Sequence, residues 1–319
     1  MRLNSRWLTA GITAVALALA GCGGSDSEAA VSVGGAVNKP ASYTTSALTQ
    51  LGTVTQTDSF NSGTTPQTHT YTGPTLWSVL ADAGLQTDAS KKNDVLNRYV
   101  VATGADGYRA VLSLGEIHPD FGNRATLVAT NETINGVSVP LNGTDGPFRV
   151  TAPGDVKGGR YVSNVVRIDA RASGSTAAGT GGGVSNSFAV SGAVAKSMSF
   201  DLAALQALPA TTQTVGGSSY TGVSLWTLLN TVTGLKTDAT AKNPTLAMYA
   251  VATGSDGYKA LVSLGEIDPG FGNRTALVAY SVGGAGLGAN GVARLVVPGD
   301  TKLGRSVSNL VAIEVFAAP

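Results

Sequence analysis

Short runs of alternating apolar and polar residues follow one another along this chain, separated by Gly, Asn, Asp and Pro. That is the pattern of half-buried strands joined by turns. It occurs twice. Residues 99–128, YVVATGADGYRAVLSLGEIHPDFGNRATLV, return at 249–278 as YAVATGSDGYKALVSLGEIDPGFGNRTALV, with 21 of 30 positions identical, so the chain is a tandem duplication. In each copy the spacing predicts a hairpin, 99–103 with 108–113 and 249–253 with 258–263, turned on Asp-Gly in the type I′ manner. Further strands are expected at 126–130, 148–152 and 162–168, with counterparts at 276–280, 293–297 and 307–315.

Helical periodicity is confined to short stretches. Leu76, Trp77, Val79, Leu80 and Ala83 match Leu225, Trp226, Leu228, Leu229 and Val232 at the spacing of one buried stripe, with Gly84 and Gly234 as stops. Both tryptophans are expected in the core. A smaller helix is expected at 201–208, with Leu202, Leu205 and Leu208 on one face and Pro209 ending it. The fold class is therefore α+β, with mixed sheet dominant and a few short helices.

The repeat sets the domain bounds. The first copy runs over 31–170 and the second over 185–319, joined by a Gly, Ser and Ala linker at 171–184 that reads as flexible, so the copies are expected as beads on a string. The block 131–146 is five residues longer than its counterpart, which marks a tolerant surface loop. The sequons at Asn131 and Asn142 read as plain loop sequence.

Ahead of the first copy, Arg2 and Arg6 precede an apolar run at 7–20, too short for a stable membrane span, so 1–21 reads as a signal peptide. It ends in Leu19-Ala20-Gly21-Cys22, which resembles the bacterial lipobox. Cys22, the single cysteine, is then the lipidated first residue of the mature protein, and 22–30 is a flexible tether. The resemblance implies the cell envelope, with the protein lipid-anchored in the outer membrane or facing the periplasm. A composition rich in Gly, Ser, Thr, Ala and Val suits an exported β-rich protein. A net charge of +1 with 13% charged residues argues against a nucleic-acid partner.

The two copies test each other's candidate chemistry, since a residue absent from one copy serves nothing both copies do. His69 and His118 are the only histidines and neither is repeated, so a shared histidine metal site or Ser-His-Asp triad is excluded. Ser113-Leu-Gly-Glu116 and Ser263-Leu-Gly-Glu266 fit a capping box opening a short helix. Asp106 and Tyr108, repeated as Asp256 and Tyr258, read as a turn or as part of a site. Pro153-Gly154-Asp155 with Lys157 and Arg160 recurs as Pro298-Gly299-Asp300 with Lys302 and Arg305. Such a Gly-rich turn with cations suits an anion cradle or, equally, a solvated loop with an Asp-Arg pair. Arg124 and Arg274 are expected to pair with a nearby carboxylate.

Taken in order, Tyr-Thr-Gly, Leu-Trp, Asp-Gly-Tyr, Gly-Pro-Phe-Arg and Pro-Gly-Asp resemble the oxidoreductase molybdopterin-binding domain, the sulfite-oxidase-like fold, across nearly all of both copies. The resemblance implies molybdopterin as cofactor, with the pterin phosphate held at Arg149, Lys157 and Arg160 and at Arg294, Lys302 and Arg305. Asp106, Tyr108, Asp256 and Tyr258 complete the implied cofactor-binding set. The second copy lacks the Gly-Pro before Arg294. Catalytic members bind molybdenum through a cysteine on the loop before the Leu-Trp helix, and here 56–71 and 213–220 contain none. The reading is a noncatalytic binder of a small anionic ligand or a periplasmic protein partner. A molybdopterin-dependent oxidoreductase or its accessory subunit, and a structural or adhesive surface protein, are the alternatives.

Overall fold

The computed structural model describes residues 28–319; the signal segment, Cys22 and most of the tether lie outside the described residues. The class is α+β, built of mixed sheets with short helices. Each copy carries a five-stranded sheet of the same order. In the first copy, Ala41–Thr44, Ala30–Gly35, Val165–Ala172, Arg98–Gly104 and Arg109–Ser113 lie side by side. In the second, Met198–Phe200, Phe188–Gly192, Leu310–Ala317, Met248–Gly254 and Lys259–Ser263 repeat that order. The first and last strands of each copy pair in parallel, and the other neighbours pair antiparallel.

A second, smaller layer covers one face. In the first copy the long hairpin Val54–Ser62 with Thr65–Gly73 continues into Asn131–Ile134 and Val137–Pro140. The stretch 56–71, read as a loop, is therefore strand. Threonine and serine hydroxyls pair across its exposed face, Thr55 with Thr72 and Thr57 with Thr70 at 2.8 Å each. The extra block 131–146 is not a plain loop either, because most of it forms the outer hairpin of this sheet. The main core lies between the layers, with Leu76, Leu80, Leu112 and Phe148 among its most buried members.

One inserted residue explains a difference in helix type. Thr75 caps the helix Leu76–Asp82 by accepting from Ser78 N, and the chain leaves it at Gly84-Leu85. The second copy has one residue more between Leu-Trp and Gly-Leu. The ends are pinned by the same bridges, Val37 to Leu85 and Val194 to Leu235, so the surplus residue is absorbed by a π-turn over Thr227–Val232. Buried Thr233 donates its hydroxyl to the carbonyls of Leu228 and Leu229, satisfying oxygens that the wider turn releases. Trp77 and Trp226, expected in the core, are half-buried and pack at its edge.

The copies are not beads on a string. The outward faces of the two five-stranded sheets meet, burying Tyr99, Val101 and Val111 against Tyr249, Val251 and Leu261, with the two tyrosine rings 4.4 Å apart. All seven residues of Met248–Gly254 are buried, because this strand has core on one side and the other copy on the other. The linker is docked as well. Gly174 N donates to Tyr249 Oη at 3.1 Å, Thr180 N donates to Ser255 O at 2.8 Å, and Ser175 Oγ bonds Glu314.

Candidate functional site at the domain seam

Where the copies meet, each contributes two carboxylates and two guanidiniums. Asp155 takes a two-pronged bond from Arg160, 2.8 Å from Nε and 2.6 Å from Nη2, and Arg160 Nη1 reaches Glu116 at 2.9 Å. Arg124 lies 3.2 Å from Asp155 and 3.4 Å from Glu116. The second copy repeats this: Asp300 takes Arg305 at 2.7 and 2.5 Å, Arg305 reaches Glu266 at 2.8 Å, and Arg274 stands 3.7 to 3.8 Å from both carboxylates. Arg160 and Arg305 are 0% exposed. Fork geometry lets each satisfy two carboxylates from one side chain.

The two clusters also touch across the seam. Arg305 Nη1 lies 3.4 Å from Ser113 of the first copy, and Ser263 of the second lies 3.4 Å from Glu116. Each arginine stem crosses the other copy's Ser-Leu-Gly-Glu turn. A Cβ on Gly115 would stand 2.5 Å from Arg305 Cδ, and one on Gly265 would stand 2.5 Å from Arg160 Cδ. The glycines are there for that approach. Gly159 lies under Phe271 and Gly304 under Phe121 in the same reciprocal way, and the main chain follows, with Val156 N donating to Phe271 O at 2.8 Å and Thr301 N to Phe121 O at 2.7 Å.

Burial and pairing act on these groups in opposite directions. Desolvation penalises every charge, yet the carboxylates around Arg160 and Arg305 raise both guanidiniums further above their ordinary value. Burial lifts Glu116, whereas Arg305 overcomes the same desolvation and holds Glu266 down to about 2. The negative charge of Glu266 across the seam adds to the burial that lifts Glu116.

Several expectations need correction here. Ser113 and Ser263 do cap their short helices, accepting from Glu116 N and Glu266 N, but the glutamate side chains do not return to complete a capping box, since they are held by arginine. The Asp-Gly turns are not type I′. Gly107 and Gly257 have positive φ but Asp106 and Asp256 do not. Each aspartate instead accepts from the amide two residues on, Tyr108 N at 2.9 Å and Tyr258 N at 3.0 Å, in a three-residue loop.

The implied cofactor residues are scattered rather than convergent. Arg160 and Arg305 are sealed inside the ion clusters, out of reach of any phosphate. Lys157 is exposed, and Lys302 pairs across the seam with Asp120 at 3.0 Å. Tyr108 donates to Gly159 O and receives Asn243 Nδ2, while Tyr258 donates to Gly304 O and receives Asn93 Nδ2, so both tyrosines bind the copies together. Arg149 pairs with Asp145 and stacks over Tyr71, Tyr161 and Phe60 at 5.5, 5.7 and 5.9 Å. Arg294 stacks over Tyr220 at 5.8 Å. No thiol and no metal-holding group of His, Cys, Asp or Glu occurs among the described residues. The residues present do not fit molybdopterin.

Two features are particular to the first copy. Around Arg149, the polar set Asp58, His69, Glu132 and Tyr161 stands where the second copy has Val215, Ser218, Val282 and Ser306. Burial pushes the Asp58 carboxyl up and the Tyr71 and Tyr161 phenols further above their ordinary value. His118 packs 4.3 Å from Trp77 beside a cleft of about 490 Å³, its Nδ1 accepting from Asp120 N, and burial lowers its proton affinity. In the second copy Asp268 takes that place and receives Thr245 Oγ1 at 3.1 Å.

The chain matches no protein-family model and no curated protein. Among solved structures it is similar to the sulfane dehydrogenase SoxCD from Paracoccus pantotrophus, at 12% identity and a TM-score of 0.35. The alignment covers 79% of this chain but only 61% of that one.

Proposed function

We propose that this chain is a noncatalytic binding protein of the cell envelope, anchored through a lipidated Cys22, in which two molybdopterin-binding-like domains have fused into one rigid body that holds a small anionic ligand. The observation that carries the reading is the enclosure of Arg160 and Arg305. The side chains that the family resemblance gives to a pterin phosphate are spent on Asp155, Glu116, Asp300 and Glu266, and so act as structure. The absence of a thiolate from both 56–71 and 213–220 removes the ligand by which that family binds molybdenum.

The test is oxidised-pterin fluorescence on the full protein purified from its native envelope. The expected result is no pterin. Stoichiometric pterin would overturn the reading. The anchor is tested separately: Cys22→Ser releases the protein from the membrane fraction if that residue carries lipid.

A further inference from the structure

Two grooves flank the seam, related by the repeat. Each lies between the Asp-Gly-Tyr hairpin of one copy and the Lys-Asn turn of the other. The first, about 470 Å³, is bounded by 91–98 of the first copy, by Ser173 and Ser175 of the linker, and by 256–259 of the second copy. The other, about 410 Å³, is bounded by 106–109 and 241–248, and no part of the linker lines it. Both volumes lie in the range that small ligands occupy, roughly 300 to 1,000 Å³.

Cations persist at this place in both copies. Lys92 is repeated as Lys242, and Lys259 has Arg109 as its equivalent, so each groove keeps one cation from each copy. In the first groove Lys91, Lys92, Arg98 and Lys259 face Asp94 and Asp256. Arg98 is neutralised by Asp94 at 2.5 Å and Lys91 meets Asp88 at 3.0 Å, while no carboxylate pairs with Lys92 among the described residues. Lys259 donates to Ser175 O at 3.0 Å and to Ser175 Oγ at 2.7 Å, which leaves one N–H of its ammonium for a guest. Partial burial lowers its proton affinity, against the pull of Glu314.

The walls differ in chemistry. The first groove adds Ser173, Ser175 and Asn97; Ser173 Oγ donates to Asn97 Oδ1 at 2.6 Å and Ser175 Oγ to Glu314, which leaves a lone pair on each hydroxyl and the Asn97 Nδ2 hydrogens for a hydroxyl-bearing ligand. The second has Ala247 and Ala318 where the first has Asn97 and Ser173, and Pro244 and Met248 where the first has Asp94 and Arg98. A cationic rim with a hydrogen-bonding wall selects an anion attached to a polyol, and the apolar wall does not.

We propose that the groove between the 91–98 turn, the linker serines and the 256–259 hairpin binds a small hydroxylated organic phosphate, with Lys92 and Lys259 as its charge partners. The proposal rests on the reading of the chain as a binder of a small anion and names its site. It also gives the docked linker a role, since Ser175 both forms the wall and positions Lys259.

The test is titration calorimetry of the full protein with ribose 5-phosphate at constant ionic strength, comparing the parent, Lys92→Gln/Lys259→Gln, and Arg109→Gln/Lys242→Gln. Lys92→Gln alone removes an exposed side chain that meets no carboxylate among the described residues and is expected to weaken binding by itself, and melting curves confirm folding of each variant. The expected result is a loss of about tenfold or more in affinity for the first variant, with the Arg109/Lys242 variant within roughly twofold of the parent. Equal losses in both, or binding that survives Lys92→Gln/Lys259→Gln, would overturn the groove while leaving an anion-binding protein. Failure of the parent to bind ribose 5-phosphate overturns the groove; failure also with inorganic phosphate and citrate overturns the anionic ligand itself, and the pterin measurement stands apart from both.

Discussion

Glu116, Arg124, Asp155 and Arg160 of the first copy recur as Glu266, Arg274, Asp300 and Arg305, whereas Asp58, His69, Glu132 and Tyr161 are replaced by Val215, Ser218, Val282 and Ser306. The first set makes contacts across the seam, whereas the second bonds within its own copy. A residue at the seam answers to the other copy as well as its own, so altering it disturbs two domains at once. Residues bonded within one copy answer to one domain only. Apart from Asp120, which meets Lys302 across the seam where the second copy has Gly270, the two copies have stayed alike where they touch and diverged in helix type, in the Arg149 surroundings and in the cleft beside Trp77.

The strongest way to break that symmetry is to remove one buried guanidinium. Arg160→Met and Arg305→Met each strand two buried carboxylates, and each is expected to cost about 3 to 5 kcal/mol. Urea unfolding should show one transition in either variant, since the seam couples the copies. Two separate transitions would mean that the seam is weak. Acid acts on the same cluster. Arg305 holds the Glu266 carboxyl down to about 2, below the ordinary carboxylate range, so the stability carried by that charge is present above the ordinary range and is lost as pH falls through about 2. Thermal melting between pH 5 and pH 2 should show that loss, and Arg305→Met should flatten the profile.

Smaller effects sharpen the comparison. Gly115→Ala and Gly265→Ala push a methyl against the opposite copy's arginine stem and are expected to cost about 1 to 3 kcal/mol each, by denaturant midpoint. Equal costs would show the seam to be symmetric in energy as well as in sequence. Thr233→Ala removes the hydroxyl that serves the π-turn carbonyls, at a cost of about 1 kcal/mol, and Ala83→Thr in the first copy, where no π-turn exists, gains nothing.

Much of this was legible in the residues. The hairpins at 99–113 and 249–263, the amphipathic helix and the α+β class follow from alternation and spacing, because burial on one face leaves a period. The seam also left a trace. Tyr99, Val100, Val101 and Ala102 do not alternate, and an antiparallel strand apolar on both faces needs cover on both sides. Glu116 and Arg160 stand 44 residues apart and only the fold joins them. Ser113-Leu-Gly-Glu116 looked like a complete local motif, so nothing in its sequence pointed to a distant partner. The cradle expected at Pro153 to Arg160 failed for the same reason: spacing shows which charges are near in sequence, and the opposite copy decides which are free.

The linker has one more consequence. In each copy the first and last strands run in the same direction, so the chain leaves the first copy at one end of a sheet and must reach the starting end of the next. Residues 173–187 cover that span while fastened to Tyr249, Glu314, Ser255 and Asn309. At about 3.3 Å per extended residue its length is set by the geometry it crosses. It behaves as a strut of fixed measure, tolerant of added residues and intolerant of lost ones, despite a composition that suggests slack.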